Sequence, residues 1–513
     1  MKVNSRTQNA RMNIFYGYIA QAGIIILSFV GRRIFLRFLA IDYLGINGLY
    51  SNILTILSLP ELGIDAAVVY SLYKPVAEDD KELVRSLVAY FRKIYCILAF
   101  GVFAVGVMLI PFLEKLITSD LPTSDLVLYY VLFLIDTVAS YFVAHKVALL
   151  SASQEQRVQK LVTLCCNLLL QILHIIVLLI WKNYYVYIAA TVITTILTNT
   201  VLGIAAERLH PEVFEKKETV AIDKKPIRDR IFSTFLYKIG VVLINSTDNI
   251  LISVLVSTVA VGYYSNYYTV TTAVTGFITI ITTSLVAGIG NLAAKGTNKE
   301  QSDLFDMVLF FYHAVAAMGL IGFSLLFNDL ITLWLGEEYL FDSKTVFIIA
   351  LNFYLANAIS PVWMFREANG MFQMVKYLLL IRAGLNIVFS IWFGMLWGVF
   401  GIFLATAVSL VLSNFWYEPR ILSKYVLQRS QWMYWGKQAK YCLTTMVCYG
   451  LSYLAIRHFG NSIPLFIGKT GIVCLITGSV FLILNFKTPE FKKLKSYLKT
   501  DTIKRRTGSF CDG

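Results

Sequence analysis

Two stretches of this chain have nearly the same sequence: GLYSNILTI at residues 48–56 and GYYSNYYTV at residues 262–270. Five of the nine positions are identical, and every position is offset by 214 residues. Each stretch begins a long apolar run, and a short hydrophilic segment follows each run. The repetition predicts a chain built from two related halves.

The composition is that of a membrane protein. Of the 513 residues, 57% are hydrophobic and 15% are charged, and the mean hydropathy is +0.67. Soluble domains average about 25% charged residues, whereas a membrane-spanning helix needs about 20 mostly apolar residues. Continuous apolar runs of that length favour helices over a barrel, whose strands alternate apolar and polar residues. We predict an all-α polytopic membrane protein with about 14 transmembrane helices.

Charge asymmetry in the loops predicts the orientation. With the N-terminus inside, most Lys and Arg residues lie in inner loops, and the outer loops lean acidic, as the positive-inside rule requires. The basic tail at residues 487–513 then lies inside too. The charge asymmetry therefore predicts a membrane protein with cytoplasmic N- and C-termini.

The repeat divides the predicted helices into two lobes. We expect an N-lobe of helices 1–6 at residues 1–208 and a C-lobe of helices 7–12 at residues 231–425. Parallel six-helix repeats about an axis normal to the membrane occur in transporters, with the substrate path between the halves. The remaining segments are a basic cytoplasmic linker, two extra helices and the tail, at residues 209–230, 426–486 and 487–513.

The stretch GRRIFLRFLAIDYLGINGLYSNILTILSLPELGIDAAVVYSLYKP, residues 31–75, resembles the N-terminal signature of bacterial oligosaccharide-lipid flippases. These are Wzx-type polysaccharide transporters of the MOP superfamily. NSTDNILIS at 245–253 and AVGYYSNYYTV at 260–270 resemble the start of their second lobe. The resemblance implies two six-helix lobes around a central cavity, lined by helices 1, 2, 7 and 8, plus two extra C-terminal helices.

The same resemblance implies a function. Such a protein moves an undecaprenyl-diphosphate-linked oligosaccharide, a repeat unit of capsule, exopolysaccharide or O-antigen, from the inner to the outer leaflet by alternating access. Expected partners are this lipid-linked substrate, membrane lipids, and a polysaccharide polymerase and glycosyltransferases. We expect no cofactor other than a coupling ion, H⁺ or Na⁺.

Other function classes fit the residues less well. The seven cysteines are scattered without a CxxC pair, and no nucleophile motif or phosphate-binding glycine loop occurs, so we expect no enzyme and no metal site. The net charge of +14 lies in loops and the tail, so we expect no nucleic-acid partner. The alternatives are a multidrug or lipid-linked peptidoglycan-precursor exporter of the same superfamily, a polysaccharide polymerase or ligase, and a structural scaffold.

Polar residues inside the spans are costly and are candidates for substrate contact. Arg32 and Arg33 lie near the outer end of helix 1, where they would bind the diphosphate through paired donors or extend to lipid headgroups. Asn52 and Asn266, from the repeated phrase, would bind sugar hydroxyls or pack helices together. Arg382 would extend to the inner interface or face the cavity.

Four carboxylates are candidates for a gate or cation-coupling site. Glu61 and Asp65 share one face of helix 2, and Pro60 should distort that helix, which predicts a hinge or cation site, or else a packing kink. Asp136 lies near the midplane, where it would serve coupling, contact substrate or bond to a neighbouring helix.

Asp248 is the fourth carboxylate. The repeat places it at the depth of Arg32 and Arg33, which predicts an ion pair that closes an outer gate. We expect His174 to be a buried neutral histidine. Three further cations are expected to extend to the inner interface: Lys146, Lys238 and Arg366.

Overall fold

The chain is described by a computed structural model over residues 22–215 and 220–492. Every regular element in this part of the chain is helical, and two short 3-10 turns occur at Ile110–Phe112 and Glu337–Tyr339. The first helix, α1, is described over residues 22–38. The other helices are α2 Ile41–Leu57, α3 Leu59–Ala77, α4 Lys81–Leu109, α5 Leu113–Leu116, α6 Thr123–Ala152, α7 Gln156–Ile180, α8 Tyr184–Leu209, α9 Pro211–Phe214, α10 Lys225–Leu255, α11 Thr258–Lys295, α12 Asn298–Trp334, α13 Ser343–Ala368, α14 Phe372–Leu412, α15 Asn414–Tyr425, α16 Gln431–Ile456 and α17 Ile463–Asn485.

These helices have the length and composition of membrane spans. Within residues 22–215 and 220–492, nine helices are long and apolar enough to cross a bilayer, or ten if the bent pair α2 and α3 forms one span. Many large apolar side chains are exposed, including Ile97, Phe100 and Met395 at about 70% exposure, as expected for side chains that face lipid. The chain is therefore a multi-pass, all-α membrane protein, as predicted.

Two helix breaks occur at or beside a proline or a glycine. Helix α2 ends at Leu57 and α3 begins at Leu59, with a bend of 51° between them. Pro60 occupies the first turn of α3, where its missing N–H costs nothing, so the predicted distortion takes the form of a break. In α14, Gly398 has φ +58° and ψ −136°, and it separates the two helices that the apolar runs predict there.

Two compact units make up the chain, residues 1–265 and 266–513. In the first unit, α6 packs against α2, α3, α4, α7 and α8, while α10 packs against α2 and α3. In the second unit, α12 packs against α13, α16 and α17. The boundary between the two units falls within α11, so α10 belongs to the first unit. The sequence instead assigns α10 to the second lobe. The lobe boundaries at 208 and 231 stay a prediction, and residues 493–513 of the tail lie outside the described part.

Two buried tyrosines form hydrogen bonds between helices of the first unit. The Tyr50 hydroxyl donates to the Leu126 carbonyl at 2.8 Å, and the Tyr130 hydroxyl donates to the Gly106 carbonyl at 3.1 Å. Both tyrosines are fully buried. A buried phenol usually finds a hydrogen-bond partner, and these bonds join α6 to α2 and to α4.

Candidate functional site

The first unit contains a polar cavity of about 480 Å³. Helices α2, α3, α6, α7 and α8 contribute its walls. A cavity lined by polar side chains among apolar membrane helices is unusual, because each polar side chain there must be hydrated or paired. The polar lining residues are Asn47, Ser51, Thr55, Ser58, Glu61, Asp136, Thr137, His174, Tyr187 and Thr191.

The break between α2 and α3 positions Glu61 at this cavity. Glu61 lies in the first turn of α3, directly after the bend. The break is held by Ser58, whose hydroxyl accepts from the Tyr141 hydroxyl at 2.7 Å. Asp65 lies one turn further along α3 and accepts a hydrogen bond from the buried Tyr95 hydroxyl of α4. Of the two carboxylates that the sequence grouped together, Glu61 thus faces the cavity and Asp65 is bonded to α4.

Asp136 enters the same cavity from the middle of α6. Its Oδ1 atom is buried and has no hydrogen-bond partner within the described residues. A desolvated carboxylate oxygen without a donor is unfavourable. Asp136 is therefore a group that would gain from a bound cation or a proton.

His174 of α7 also lines the cavity. Its Nε2 atom lies 3.0 Å from the Thr191 hydroxyl, and its ring stacks on Tyr187 with 3.7 Å between centroids. His174 is buried, as expected. Among the residues that the structure describes, no group of three His, Cys, Asp or Glu side chains has the geometry of a metal site. The cavity lining thus offers two carboxylates, one imidazole, one amide and several hydroxyls.

The two adjacent arginines of α1 differ in environment. The Arg32 Nη1 atom donates to the Ser265 hydroxyl at 3.0 Å, within the first unit, whereas Arg33 is exposed. Ser265 immediately precedes Asn266 in the second copy of the repeated phrase. Arg32 therefore connects α1 to the start of α11, while the role of either arginine in binding diphosphate stays a prediction.

The asparagines of the repeated phrase also differ. The Asn52 side-chain amide donates to the Gly48 carbonyl of its own helix at 2.7 Å. Asn266 is fully buried, and neither of its amide atoms has a hydrogen-bond partner in residues 22–215 and 220–492. Neither asparagine lines the cavity of the first unit, so contact with sugar hydroxyls stays a prediction for both.

Two further predicted site residues lie elsewhere. Asp248 is half-buried in α10, and Arg382 is buried in α14 of the second unit. Neither belongs to the cavity lining. The gate pair of Asp248 with Arg32 or Arg33 stays a prediction, as does substrate contact by Arg382.

The structure also reveals a buried ion pair that sequence reasoning missed. Arg366 Nη1 lies 2.9 Å from Glu418 Oε2, and the two side chains are 6% and 0% exposed. The Asn414 amide donates to the same carboxylate. The expectation that Arg366 extends to the interface is wrong, because α15 brings Glu418 to it. The signal available in the sequence was the single acid in the stretch NFWYEP, residues 414–419.

Comparison with solved structures identifies the fold. The lipid II flippase MurJ in an inward closed conformation is similar with a TM-score of 0.65 and 16% identity, over 91% of this chain and 98% of that one. An inward-facing multidrug resistance MATE transporter of the MOP superfamily gives 0.59 and 12%, over 79% and 98%. A Vibrio cholerae MATE transporter gives 0.54 and 12%, over 83% and 99%. The chain has the fold of MOP-superfamily transporters, as its resemblance to that superfamily predicts.

Sequence comparison identifies the family. No match was found among curated proteins. Residues 10–287 match the family described as "Polysaccharide biosynthesis protein". The match covers more than half of the chain and includes every residue of the cavity lining. The predicted kinship with polysaccharide transporters is confirmed, and this chain belongs to the polysaccharide biosynthesis protein family.

Proposed function

We propose that this protein translocates an undecaprenyl-diphosphate-linked oligosaccharide, a repeat unit of capsule, exopolysaccharide or O-antigen, from the inner to the outer leaflet of a bacterial plasma membrane. The observation that carries the proposal is the family match over residues 10–287, which coincides with a membrane-embedded polar cavity. Its partners are the enzymes of the same pathway, glycosyltransferases that build the lipid-linked unit and a polymerase that consumes it.

The proposed mechanism is alternating access by two six-helix lobes in a parallel pseudo-twofold repeat, with two extra C-terminal helices. The helix breaks support fourteen spans: α2 and α3 form one span, α14 divides at Gly398, and α1, α11 and α16 complete the set. An even number of spans places both termini on the same side of the membrane, and the basic inner loops make that side the cytoplasm. The repeated phrase supports the pseudo-twofold relation.

The predicted residues have separate roles in this proposal. Arg32, Arg33 and Arg382 bind the diphosphate, since guanidinium groups match phosphate oxygens with paired donors. Asn52 and Asn266 contact the glycan. The carboxylates Glu61 and Asp136, with Asp65 and Asp248, hold the coupling H⁺ or Na⁺ or form the gate. Because an occupied site changes the charge in the membrane, loading would shift the equilibrium between the two facing states.

A deletion strain tests the substrate. We expect undecaprenyl-linked glycan to accumulate on the inner leaflet and surface polysaccharide to be lost. Wild type should restore both, and Arg32→Ala/Arg33→Ala should restore neither. The matched control is Arg37→Ala, a change at an exposed arginine of the same helix, which should complement fully. Drug hypersensitivity with normal surface polysaccharide would contradict the proposal and favour a multidrug exporter.

Coupling is tested in proteoliposomes that carry a fluorescent lipid-linked glycan. Transport by wild type should rise when an inward H⁺ or Na⁺ gradient is imposed. Asp136→Asn and Glu61→Gln should abolish this gradient response. Asp125→Asn, which changes a half-buried carboxylate outside the cavity, in the first turn of the same helix as Asp136, should retain it. A gradient response that survives in both cavity variants would remove these carboxylates from coupling.

A further inference from the structure

The first unit has a second cavity, of about 620 Å³, at the end where α4 begins and α6 and α8 end. We call it the basic cleft. Four cationic side chains line it, Arg85, Arg92, Lys93 and Lys146, against the two carboxylates Glu207 and Glu215. The lining therefore has a surplus of two positive charges. The cavity with Glu61 and Asp136 shares no lining residue with it.

Hydrogen bonds and an ion pair between helices hold the walls of the cleft in place. Arg85 is buried, and its Nε and Nη2 atoms donate to the Glu212 carbonyl at 3.2 and 2.7 Å. That contact fixes the short helix α9 against α4. On the opposite wall, Lys146 pairs with Glu207 at 2.5 Å. With Arg85 and Lys146 thus engaged, the surplus charge is presented by Arg92 and Lys93, which are exposed.

A buried polar group also lines the cleft. His145 of α6 is 4% exposed, and its Nδ1 atom has no hydrogen-bond partner in the described residues. A buried ring nitrogen without a partner is costly, and a polar ligand in the cleft would satisfy it. The cleft thus combines a ring nitrogen that lacks a partner with two exposed cations.

The position of the cleft identifies the ligand class. Arg92 and Lys93 are the last charged residues of α4 before its apolar run, so they lie where the helix meets the membrane surface. Beyond them, Ile97 and Phe100 of α4 and Phe142 of α6 are exposed and apolar. A ligand that fills the cleft would therefore have a phosphate at the basic end and hydrocarbon alongside the helices.

We propose that the basic cleft binds the phosphate headgroup of an anionic membrane lipid, with its acyl chains against the exposed apolar faces of α4 and α6. In the proposed orientation this lipid belongs to the inner leaflet, whose anionic headgroups attract basic clusters. The site goes beyond the transported substrate, and it makes the first unit sensitive to the lipid composition of the membrane around it.

Native mass spectrometry of the purified full chain tests this, with phosphatidylglycerol or phosphatidylcholine added to the detergent. We expect wild type to retain phosphatidylglycerol in preference to phosphatidylcholine. Arg92→Gln/Lys93→Gln should lower phosphatidylglycerol affinity by about thirtyfold. The exchange Arg92→Lys/Lys93→Arg, which keeps both charges, should bind nearly as well as wild type. Since both side chains are exposed, these variants should fold.

The matched control is Arg157→Gln/Lys160→Gln, which removes two exposed charges from the start of α7 at the same end of the unit and should leave affinity unchanged. An equal loss of phosphatidylglycerol affinity in this control and in Arg92→Gln/Lys93→Gln would mean that general surface charge attracts the lipid, and it would overturn the site. Equal retention of both lipids by wild type would overturn it too. Full displacement of the lipid by an equal concentration of inorganic phosphate would assign the cleft to a soluble anion instead.

Discussion

Two kinds of charged side chain stand out among the described residues: those paired with an opposite charge and those that face a cavity. Arg366 and Glu418 bond to each other in the second unit, while Glu61 and Asp136 face a polar cavity in the first. Removing one partner of a buried pair is destabilising, because the other charge is left desolvated and uncompensated. A carboxylate that faces a cavity is instead available to a ligand. We therefore expect the first kind to govern stability and the second to govern transport.

Removing one partner of the Arg366–Glu418 pair should destabilise the protein strongly. Glu418→Ala removes the buried carboxylate and leaves the Arg366 guanidinium only the more exposed Glu367, 3.4 Å away, and losing one partner of a buried pair costs about 3–5 kcal/mol. The double variant Arg366→Met/Glu418→Leu removes both charges and should recover most of that loss. Thermal unfolding of the detergent-purified protein measures both. The control is Glu78→Ala, since its contact with Lys74 is exposed and 3.8 Å long and is worth about 0–1 kcal/mol. Equal losses for Glu78→Ala and Glu418→Ala would contradict the assignment.

At the scale of helices, the repeated phrase has a packing role. A Cβ atom on Gly262, the first residue of the second copy, would lie 2.6 Å from the Ile41 carbonyl oxygen. A Cβ on Gly45 would lie 2.0 Å from the Thr258 carbonyl oxygen. Both contacts join α2 to the start of α11 within the first unit. Glycine at these positions allows two backbones to approach closely, as small residues do in membrane helices.

Gly262→Ala should therefore separate α2 from α11. The added methyl group meets backbone, which cannot rotate away, so we expect a loss of about 1–3 kcal/mol in stability and a lower transport rate. Thermal unfolding and the proteoliposome assay measure the two effects. Gly101→Ala is the control, because its Cβ would meet nothing within 4 Å and alanine favours helix. A variant Gly262→Ala as stable as Gly101→Ala would exclude close packing as the reason for the glycine.

An ion-pair network links the end of the described chain to the rest of the second unit. Lys437 of α16 lies 2.7 Å from Asp306 of α12 and also bonds to Glu490, beyond α17. Arg429 approaches Asp306 at 2.6 Å. Burial raises the pKa of the Glu490 carboxyl, but the Lys437 ammonium and a backbone N–H outweigh it and hold that pKa below its ordinary value. The ion pair with Lys437 therefore holds the segment after α17 against α16.

This lowered pKa predicts a pH dependence. A carboxyl whose pKa is lower folded than unfolded stabilises the fold above its unfolded pKa, about 4.3 for Glu, and loses that contribution as pH falls through the folded value. Glu490→Gln should therefore lower the unfolding temperature at pH 7 and have little effect near pH 3. Glu338→Gln, at an exposed acid, is the control and should have little effect at either pH. An equal effect of Glu490→Gln at both pH values would show that its charge does not fasten the segment.

Across the whole molecule, sequence patterns predict the helices along the chain better than the contacts between residues that are distant in sequence. Hydropathy predicts the helical membrane spans, and Pro60 and the boundary near Gly398 mark two real breaks. Convergence of Glu61, Asp136 and His174 on one cavity depends on which helices pack together, which hydrophobic periodicity does not specify. The partner of Arg366 escaped prediction for the same reason, since Glu418 lies 52 residues away. In both cases, the packing of helices that are distant in sequence decides which side chains meet.

The orientation of the whole chain is the broadest prediction. The fourteen proposed spans and the basic inner loops require both termini in the cytoplasm, and one span more or fewer would place them on opposite sides. Alkaline phosphatase, which is active only outside the plasma membrane, should be active when fused after Asp120 and inactive when fused after Gln154 or Gly513. Green fluorescent protein at the same three points should give the reciprocal pattern and serves as the control. An active phosphatase after Gly513 would mean an odd number of spans. The parallel six-helix repeat, and with it the proposed alternation of two matched lobes, would then have to be abandoned.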